Sequence, residues 1–334
     1  MTTAESVIEA RNLTKIFRDF WGRPAVRAVD GLSFAVRRGE VFGLLGPNGS
    51  GKSTTLKLAL GLLHPTGGKL IVLGRSPRDI RAKSRIGYLP EESYLYPFLT
   101  AEETLDFYGR LFDLRARERR LRAAELLEMI GLLHARRRPV GEFSKGMARR
   151  IGLAQALIND PDLVILDEPT SGLDPLACRQ MKDLIRTLGR RGKSVVLSSH
   201  LLADVEDVCD RVAILYNGRL QAEGPIADLL EERRRTRITL PSADAAVVAK
   251  VIAAAREATG AEPEVDHPRK DLEAFFLEVI ERARSTTPSP SGVTVGGGIA
   301  RYLASPSPVP APPDDPNERL RRLVKPSDPP PPMA

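Results

Sequence analysis

Residues 41–54 are the most informative stretch of the sequence. The apolar run Val41–Leu45 is followed at once by Gly46-Pro47-Asn48-Gly49-Ser50-Gly51-Lys52-Ser53-Thr54. The run predicts a buried strand, and the pattern of Thr54–Leu63 predicts a helix directly after the glycine-rich turn. The turn fits G-x-x-x-x-G-K-[ST], in which glycines let backbone N–H groups approach a phosphate at a helix N-terminus. We therefore expect a phosphate-binding loop, with Lys52 on the β- and γ-phosphates and the Ser53 hydroxyl on Mg²⁺.

A second apolar run, Leu163–Leu166, ends in two acidic residues, Asp167 and Glu168. A buried strand places such residues at the carboxyl edge of a sheet, where nucleotide sites form. We expect Asp167 to hold, through water, the Mg²⁺ that Ser53 also holds. Glu168 projects differently and can polarise the attacking water as a general base. An acidic pair after an apolar run is common by itself, and it is the phosphate loop that makes this pair informative.

Strand-like and helix-like stretches alternate over the first 235 residues, which is typical of a mostly parallel sheet covered by helices. Another short buried strand is predicted at Ser194–Ser198. Between about residues 92 and 159 the chain becomes helical and charged, and helices are predicted at Ala101–Phe112, Ala116–Ile130 and Lys145–Asn159. We expect an α/β fold of the P-loop NTPase type, with a RecA-like sheet and an inserted helical subdomain, over residues 1–235.

Beyond residue 235 the pattern changes twice. Residues 236–284 predict a small α/β accessory domain in the order β-α-β-α, with strand Arg237–Leu240, helix Ala243–Ala258, strand Ala261–His267 and helix Lys270–Arg284. Residues 285–334 contain 13 of the 27 prolines and few large apolar residues. Such a segment buries too little surface to offset its ordering entropy, so it is predicted to be a disordered, Pro-rich tail.

Composition excludes several classes of protein. With 42% apolar and 28% charged residues the chain can build a core, and its two cysteines exclude a disulfide scaffold and fit a reducing setting. Its longest apolar runs fall short of the roughly 20 residues that cross a bilayer, and the N-terminus lacks a secretory signal pattern. The net charge of +7 suggests a nucleic-acid partner or an anionic membrane surface. Basic and acidic residues are interleaved, as in Arg115–Glu128, and no recognition module is present, so we expect no nucleic-acid partner.

Four further motifs follow the phosphate loop along the chain. Phe143-Ser144-Lys145-Gly146-Met147 resembles the signature motif, Ser171-Gly172-Leu173-Asp174 resembles the D-loop, His200 after Val195–Ser199 resembles the switch histidine, and Ile86–Glu91 resembles the Q-loop. The resemblance covers roughly residues 6–235 and is to the ATP-binding subunits of ABC transporters, most of all those of ABC-2-type exporters. The chain departs from the usual motifs at Glu91, which replaces a glutamine, at Lys145, which replaces a glycine, and at Met147, which replaces a glutamine.

The resemblance implies a shared catalytic site between two ATPase subunits. Ser144 and Gly146 would contact the γ-phosphate of ATP held by the other subunit, and Asp174 would bridge the two sites. His200 would hydrogen-bond the γ-phosphate and help to hold the attacking water. Glu91 would take part in catalysis and supply an oxygen to Mg²⁺, bringing a full negative charge.

An aromatic side chain is expected to stack on the adenine ring. Phe17 is our first candidate, and Trp21, in the insertion Phe20–Pro24, is the alternative. Either ring can instead serve as a packing aromatic.

The resemblance also implies partners. A motor ATPase of this kind needs a separate integral-membrane permease, which would dock on the helical subdomain and select the exported substrate. One set of motifs per chain implies a second ATPase subunit, either an identical copy or a related chain. Such a subunit would be cytoplasmic and peripheral on the inner face of the plasma membrane. The alternative that stays open is a soluble regulatory ABC-type ATPase. Two other classes are excluded. A translation-associated ATPase would carry two cassettes, and this chain has one phosphate loop. A chromosome-maintenance ATPase would need a long coiled-coil insertion, for which the 115 positions from Lys52 to Asp167 leave no room.

Overall fold

The computed structural model of the protein describes residues 5–231, 244–260 and 300–304. The strands are β1 Ser6–Arg18, β2 Pro24–Arg37, β3 Val41–Leu45, β4 Gly67–Val72, β5 Ile86–Leu89, β6 Leu163–Asp167, β7 Ser194–Ser199, β8 Arg211–Tyr216 and β9 Arg219–Pro225. The helices are α1 Lys52–Ala59, α2 Ile80–Lys83, α3 Ala101–Leu111, α4 Ala116–Met129, α5 Lys145–Leu157, α6 Pro175–Arg190, α7 Leu202–Val208, α8 Ile226–Leu230 and α9 Ala245–Thr259.

A six-stranded sheet in the order β5-β6-β7-β3-β8-β9 forms the centre of the fold. The first five strands in this order, including β3, pair in parallel with their neighbours, and β9 pairs antiparallel with β8 at the edge. Strands β3, β6 and β7 are buried along their whole length, as expected of strands covered on both faces. Leu45 pairs with Ser199 and Asp167 with Ser198, so the three strands end side by side. The predicted mostly parallel sheet is confirmed, and its carboxyl edge gathers the predicted catalytic segments.

A separate antiparallel sheet, β2-β1-β4, was not predicted. Its long strands β1 and β2 pair from Ser6 opposite Arg37 to Arg18 opposite Pro24, and β1 also pairs with β4. Its buried side chains share one apolar core with α1 and with Phe42 and Leu44 of β3. The N-terminal strands therefore cover one face of the central sheet.

Three helices, α3, α4 and α5, lie between β5 and β6, where the sequence predicted them, and each ends one or two residues before its predicted end. The predicted helix Thr54–Leu63 differs more, because α1 begins at Lys52 and ends at Ala59. Gly61 follows with a left-handed φ of +64°, and the Leu62 N–H bonds back to the carbonyl of Lys57, which closes the helix. Over the part of the chain that is described, none of the helices combines the length and the apolar character needed to span a membrane.

The C-terminal region is described only in part. Helix α9 matches the predicted helix Ala243–Ala258 to within two residues at each end, and the other three elements of the proposed accessory domain lie outside the described residues. Disorder was predicted for all of residues 285–334, and for residues 300–304 this is wrong.

Residues 300–304 end in a 3-10 turn packed on the helical region. Ala300 and Leu303 are almost fully buried, and the Tyr302 hydroxyl donates to the carbonyl of Leu157 at 3.0 Å. The Arg122 guanidinium lies 4.5 Å from the centre of the Tyr302 ring. The buried Leu303 side chain and the Tyr302 hydroxyl thus attach this short turn to the end of α5.

Candidate active site

The glycine-rich loop between β3 and α1 is pressed against its neighbours. A Cβ atom on Gly46 would lie 2.3 Å from the carbonyl oxygen of Leu215, and one on Gly51 would lie 2.4 Å from that of Ala28. Gly51 also has a left-handed φ of +101°. The Ser50 hydroxyl is buried and has no hydrogen-bond partner among the residues that the structure describes. A tight glycine loop with an orphaned hydroxyl at the start of a helix fits a phosphate group.

The Lys52 side chain curls back over this loop. Its ammonium donates to the carbonyl oxygens of Gly46 at 2.7 Å and Pro47 at 3.3 Å, and lies 3.5 Å from Glu168 Oε1. Lys52 and Glu168 are both buried. The loop therefore contains one positive charge in a water-poor setting, where its attraction for phosphate oxygens is strengthened.

Ser53, Asp167 and Ser198 converge beside the loop. The Ser53 hydroxyl donates to Asp167 Oδ1 at 3.1 Å, and the Ser198 hydroxyl donates to the same oxygen at 2.5 Å. Hydroxyl and carboxylate oxygens suit Mg²⁺, which typically takes one or two carboxylates together with water and substrate phosphates. No group of three or more His, Cys, Asp and Glu side chains with metal-binding geometry occurs among the described residues. The pair of Ser53 and Asp167 fits this sparse mode of magnesium binding.

The Glu168 carboxylate lies between two other candidate residues. Its Oε2 is 2.8 Å from Nδ1 of His200, while Oε1 faces Lys52. Its backbone has a left-handed φ of +47°, which is strained for a residue with a side chain and costs about 1–3 kcal/mol. The Glu168 N–H donates to Ser198 Oγ at 3.0 Å, which helps to hold this conformation. A carboxylate fixed in this way can accept a proton from a water molecule.

Arg149, on α5, joins two segments of the site and was missed from the sequence. Its guanidinium donates to the carbonyl oxygens of Pro90, Glu91, Asp167, Glu168 and Pro169. Burial lowers the pKa of Arg149, and the negative charges of Asp167 and Glu91 oppose that shift. The residue types around Arg149 give no signal of this role, because these partners are backbone carbonyls.

Ser198 was also missed. The only sequence signal was a small polar residue at the end of an apolar strand, one residue before the end of β7.

Glu91 follows β5 and is exposed at the surface. Its carbonyl oxygen accepts from Arg149 at 2.8 Å, so its backbone is tied to the α5 helix. The role of its carboxylate in magnesium binding stays a prediction.

The signature and D-loop residues start two neighbouring helices. Ser144 caps α5 by accepting from the Met147 N–H, and Asp174 caps α6 by accepting from the Ala177 N–H at 2.9 Å. A Cβ on Gly146 would lie 3.2 Å from that of Ala177, so the two helix starts touch. Ser144, Gly146 and Asp174 lie outside the bonded cluster described above. Within the described ranges, no hydrogen bond or ion pair joins them to Lys52, Ser53, Asp167, Glu168 or His200.

The two aromatic candidates for adenine stacking lie at different places. Phe17, on β1 opposite Val26, is 39% exposed, and Lys15 Nζ lies 5.2 Å from its ring centre. Trp21, in the turn between β1 and β2, is 75% exposed and meets Phe20 edge to face. Both rings are available at the surface, and the choice of Phe17 stays a prediction.

Comparisons with known proteins agree with this geometry. Residues 29–171 match the family model described as ABC transporter. An uncharacterized ABC transporter ATP-binding protein of Synechocystis sp. is 44% identical over 251 residues, which cover 74% of this chain and 71% of the relative. The Nod factor export ATP-binding protein I of Burkholderia orbicola is 42% identical over 226 residues, which cover 67% of this chain and 72% of that protein.

A solved structure shows the same fold. It is the dimeric structure of a post-hydrolysis state of an ATP-binding cassette bound to ADP and Pi, and it aligns with a TM-score of 0.60 and 27% identity over 66% of this chain and 98% of its own. With the phosphate loop, the buried acidic pair and the histidine in one cluster, the chain belongs to the ABC transporter ATP-binding proteins and is an ATP-hydrolysing member of that family.

Proposed function

We propose that this chain is the MgATP-hydrolysing motor subunit of an exporter whose membrane-spanning permease is a separate chain. A relative that is named for Nod factor export supports the direction of transport. The absence of a candidate membrane span from the described residues fits a motor that acts on a separate permease. In this function the subunit is peripheral on the cytoplasmic face of the membrane.

The phosphate loop binds the nucleotide. The loop of residues 46–54 surrounds the phosphates with the backbone N–H groups that follow Pro47, Lys52 neutralises β- and γ-phosphate oxygens, and Phe17 stacks on the adenine. Ser53 and Asp167, with Glu91 from the neighbouring loop, hold Mg²⁺. When bound, this ion neutralises the charge that develops on the phosphate oxygens.

Glu168 is the general base of the proposed reaction. Its carboxylate accepts a proton from the attacking water, and His200, 2.8 Å away, orients both the carboxylate and the γ-phosphate. The Lys52 ammonium leaves the Glu168 carboxylate for the phosphates when nucleotide binds, since both groups compete for one positive charge. Glu168 is then available to the water.

The second half of the site comes from another ATPase subunit. Ser144 and Gly146 begin α5, and the N-terminus of that helix carries a partial positive charge suited to a γ-phosphate. Asp174, at the adjacent start of α6, bridges the two sites. A dimeric solved neighbour supports this arrangement, and two identical copies are its simplest form.

The observation that carries the proposal is the Glu168 carboxylate, held between Lys52 and His200 beside the Ser53–Asp167 pair. The test is purification of the tagged chain from detergent-solubilised membranes, followed by identification of co-purifying proteins and assay of MgATP hydrolysis. We expect a stable complex with an integral membrane protein and hydrolysis that needs Glu168. An active ATPase that stays entirely in the cytosolic fraction would support the regulatory alternative instead.

A further inference from the structure

One guanidinium group connects the two loops that flank the candidate magnesium site. Nη1 of Arg149 donates to the carbonyls of Pro90 and Glu91, the latter at 2.8 Å. Nη2 donates to the carbonyls of Asp167 at 2.6 Å and Glu168 at 2.8 Å. The two arms of the fork thus serve different segments of the chain, 58 and 18 residues away from Arg149.

The position of Arg149 makes this link rigid. The residue is 4% exposed, and it belongs to α5, the helix that Ser144 caps. Its third nitrogen, Nε, lies 3.3 Å from the carbonyl oxygen of Pro169. A planar group with five donors in fixed directions can satisfy this many acceptors at once, whereas an ammonium on a flexible stem cannot.

The backbone of Glu168 needs such support. Its left-handed φ of +47° is unfavourable for a residue with a side chain. Ser198 accepts from its N–H, and Arg149 donates to its C=O, so the peptide groups on both sides of the Cα are fixed. The direction of the Glu168 carboxylate follows from this backbone conformation.

We propose that Arg149 is a positioning residue that locks the Glu91 loop, the Asp167–Glu168 segment and the signature helix into one unit. This inference rests on the proposed function, in which Glu168 is the general base and Glu91 lies beside Mg²⁺. A shift of Pro90–Ser93, such as one imposed by a docked permease, moves the same guanidinium that holds the Glu168 carbonyl. Arg149 therefore adds a direct side-chain connection, beyond the β5–β6 pairing, between the surface loop and the backbone that carries the Glu168 carboxylate.

The test compares the buried Arg149 with the partly buried Arg211. Arg149→Lys keeps the positive charge and removes the fork, so it can serve one loop but not both. Arg211→Lys is the matched control, because Arg211 also joins separate elements, through Glu40 and Glu223, at the opposite edge of the sheet. If Arg149→Lys is poorly folded, Arg149→Gln with Arg211→Gln serves as the second pair, since one amide also reaches only one loop.

Two measurements distinguish positioning from a general loss of stability. We expect Arg149→Lys to lower kcat about 10–100-fold, because misplacement of a catalytic group by about 1 Å is costly, with the Kd for ATP within about threefold of the wild type. Hydrogen exchange in the nucleotide-free protein should speed up in peptides covering both 86–96 and 163–171. In Arg211→Lys, kcat and exchange in these two peptides should stay at wild-type values.

The proposal is overturned if folded Arg149→Lys keeps kcat within twofold of the wild type, or if exchange speeds up in one of the two peptides and not in the other. Failure of the proposed function would give a different result from failure of the Arg149 proposal. A wild-type protein whose hydrolysis does not require Glu168 would remove the assumed base, while the exchange data would still decide whether Arg149 ties the loops together.

Discussion

Glu168 and His200 contact each other directly, with His200 Nδ1 2.8 Å from Glu168 Oε2. The other carboxylate oxygen faces Lys52, so the buried Glu168 carboxylate lies between a buried ammonium and an imidazole that is open to solvent. Nucleotide binding and the chemical step therefore involve different residues, because Lys52 belongs to the phosphate loop and His200 follows β7. A substitution at Glu168 should therefore change the chemical step, while one at Lys52 should change binding.

Glu168→Gln should bind MgATP and hydrolyse it about 10²–10⁴-fold more slowly, since an amide cannot accept the proton of the attacking water. Single-turnover assays with saturating ATP measure this step. Glu223→Gln is the control, because Glu223 is a partly buried carboxylate that pairs with Arg211 at 2.6 Å, away from the phosphate loop, and its loss should leave kcat unchanged. Near-normal turnover by pure Glu168→Gln protein would reject Glu168 as the base.

Lys52→Ala should weaken ATP binding by about 10–100-fold, the usual value of hydrogen bonds to a charged group. Titration at low salt with a fluorescent ATP analogue checks this. Lys193→Ala removes another buried lysine, which pairs with Asp160 at 2.6 Å, and should cost stability without changing the Kd. Equal affinities for Lys52→Ala and the wild type would contradict the phosphate-loop assignment.

Ser198→Ala should lower both stability and kcat. It leaves the buried N–H of Glu168 without its acceptor, at a cost of about 1–3 kcal/mol. It also removes the hydroxyl that orients the Asp167 carboxylate, so Asp167 holds the ion less well. Half-maximal activity should then need more Mg²⁺. Ser194→Ala, at the other end of β7, removes the acceptor of the Gly39 N–H and should lower the melting temperature alone. A Ser198→Ala protein with wild-type kcat and magnesium dependence would show that the serine is only structural.

Ser144→Arg should prevent ATP-driven dimer closure while sparing ATP binding to the same chain. In the Glu168→Gln background, size-exclusion chromatography with ATP should show a dimer, and adding Ser144→Arg should return the protein to monomer. Thr100→Arg disrupts the cap of α3 in the same helical region and serves as the control. Persistence of the dimer in the double variant would count against a site completed by a second subunit.

Two truncations test the packing of residues 300–304. Deletion of residues 305–334 should leave the melting temperature unchanged, because the packed turn is kept. Deletion of 300–334 exposes the surface covered by Leu303 and Tyr302 and should lower the melting temperature by roughly 4–10 °C. Tyr302→Phe should account for a small part of that loss, since it removes the bond to Leu157 alone. Equal melting curves for the two truncations would show that the turn contributes nothing.

The sequence was sufficient where a motif is local. Val41–Leu45 and the loop after it were predicted because a strand, a glycine turn and a helix follow one another within about 20 residues. Asp167 and Glu168 were predicted for the same reason, since the strand and its acidic end are contiguous.

The sequence was insufficient where a partner is distant and lacks a distinctive side chain. Arg149 bonds to backbone carbonyls, which every residue possesses, so its partners leave no trace in the residue types around it. Ile8 pairs with Val72 across 64 positions, and neither residue specifies that register by itself. Tyr302 donates to the carbonyl of Leu157, 145 residues earlier in the chain, and no local pattern in the Pro-rich segment indicates that contact.

The bond between Tyr302 and Leu157 also has a consequence for the order in which the protein forms. During synthesis at about 5–20 residues per second, the 145 positions between them take roughly 7–30 s to appear. Strands β6 to β9 are synthesised within that interval, so the completed sheet and helix α5 lack the covering turn only over the last 77 positions, from Pro225 to Tyr302, which take roughly 4–15 s at the same rate. The nascent cassette therefore exposes the carbonyl of Leu157 and the apolar surface under Leu303 to water until its C-terminal segment arrives.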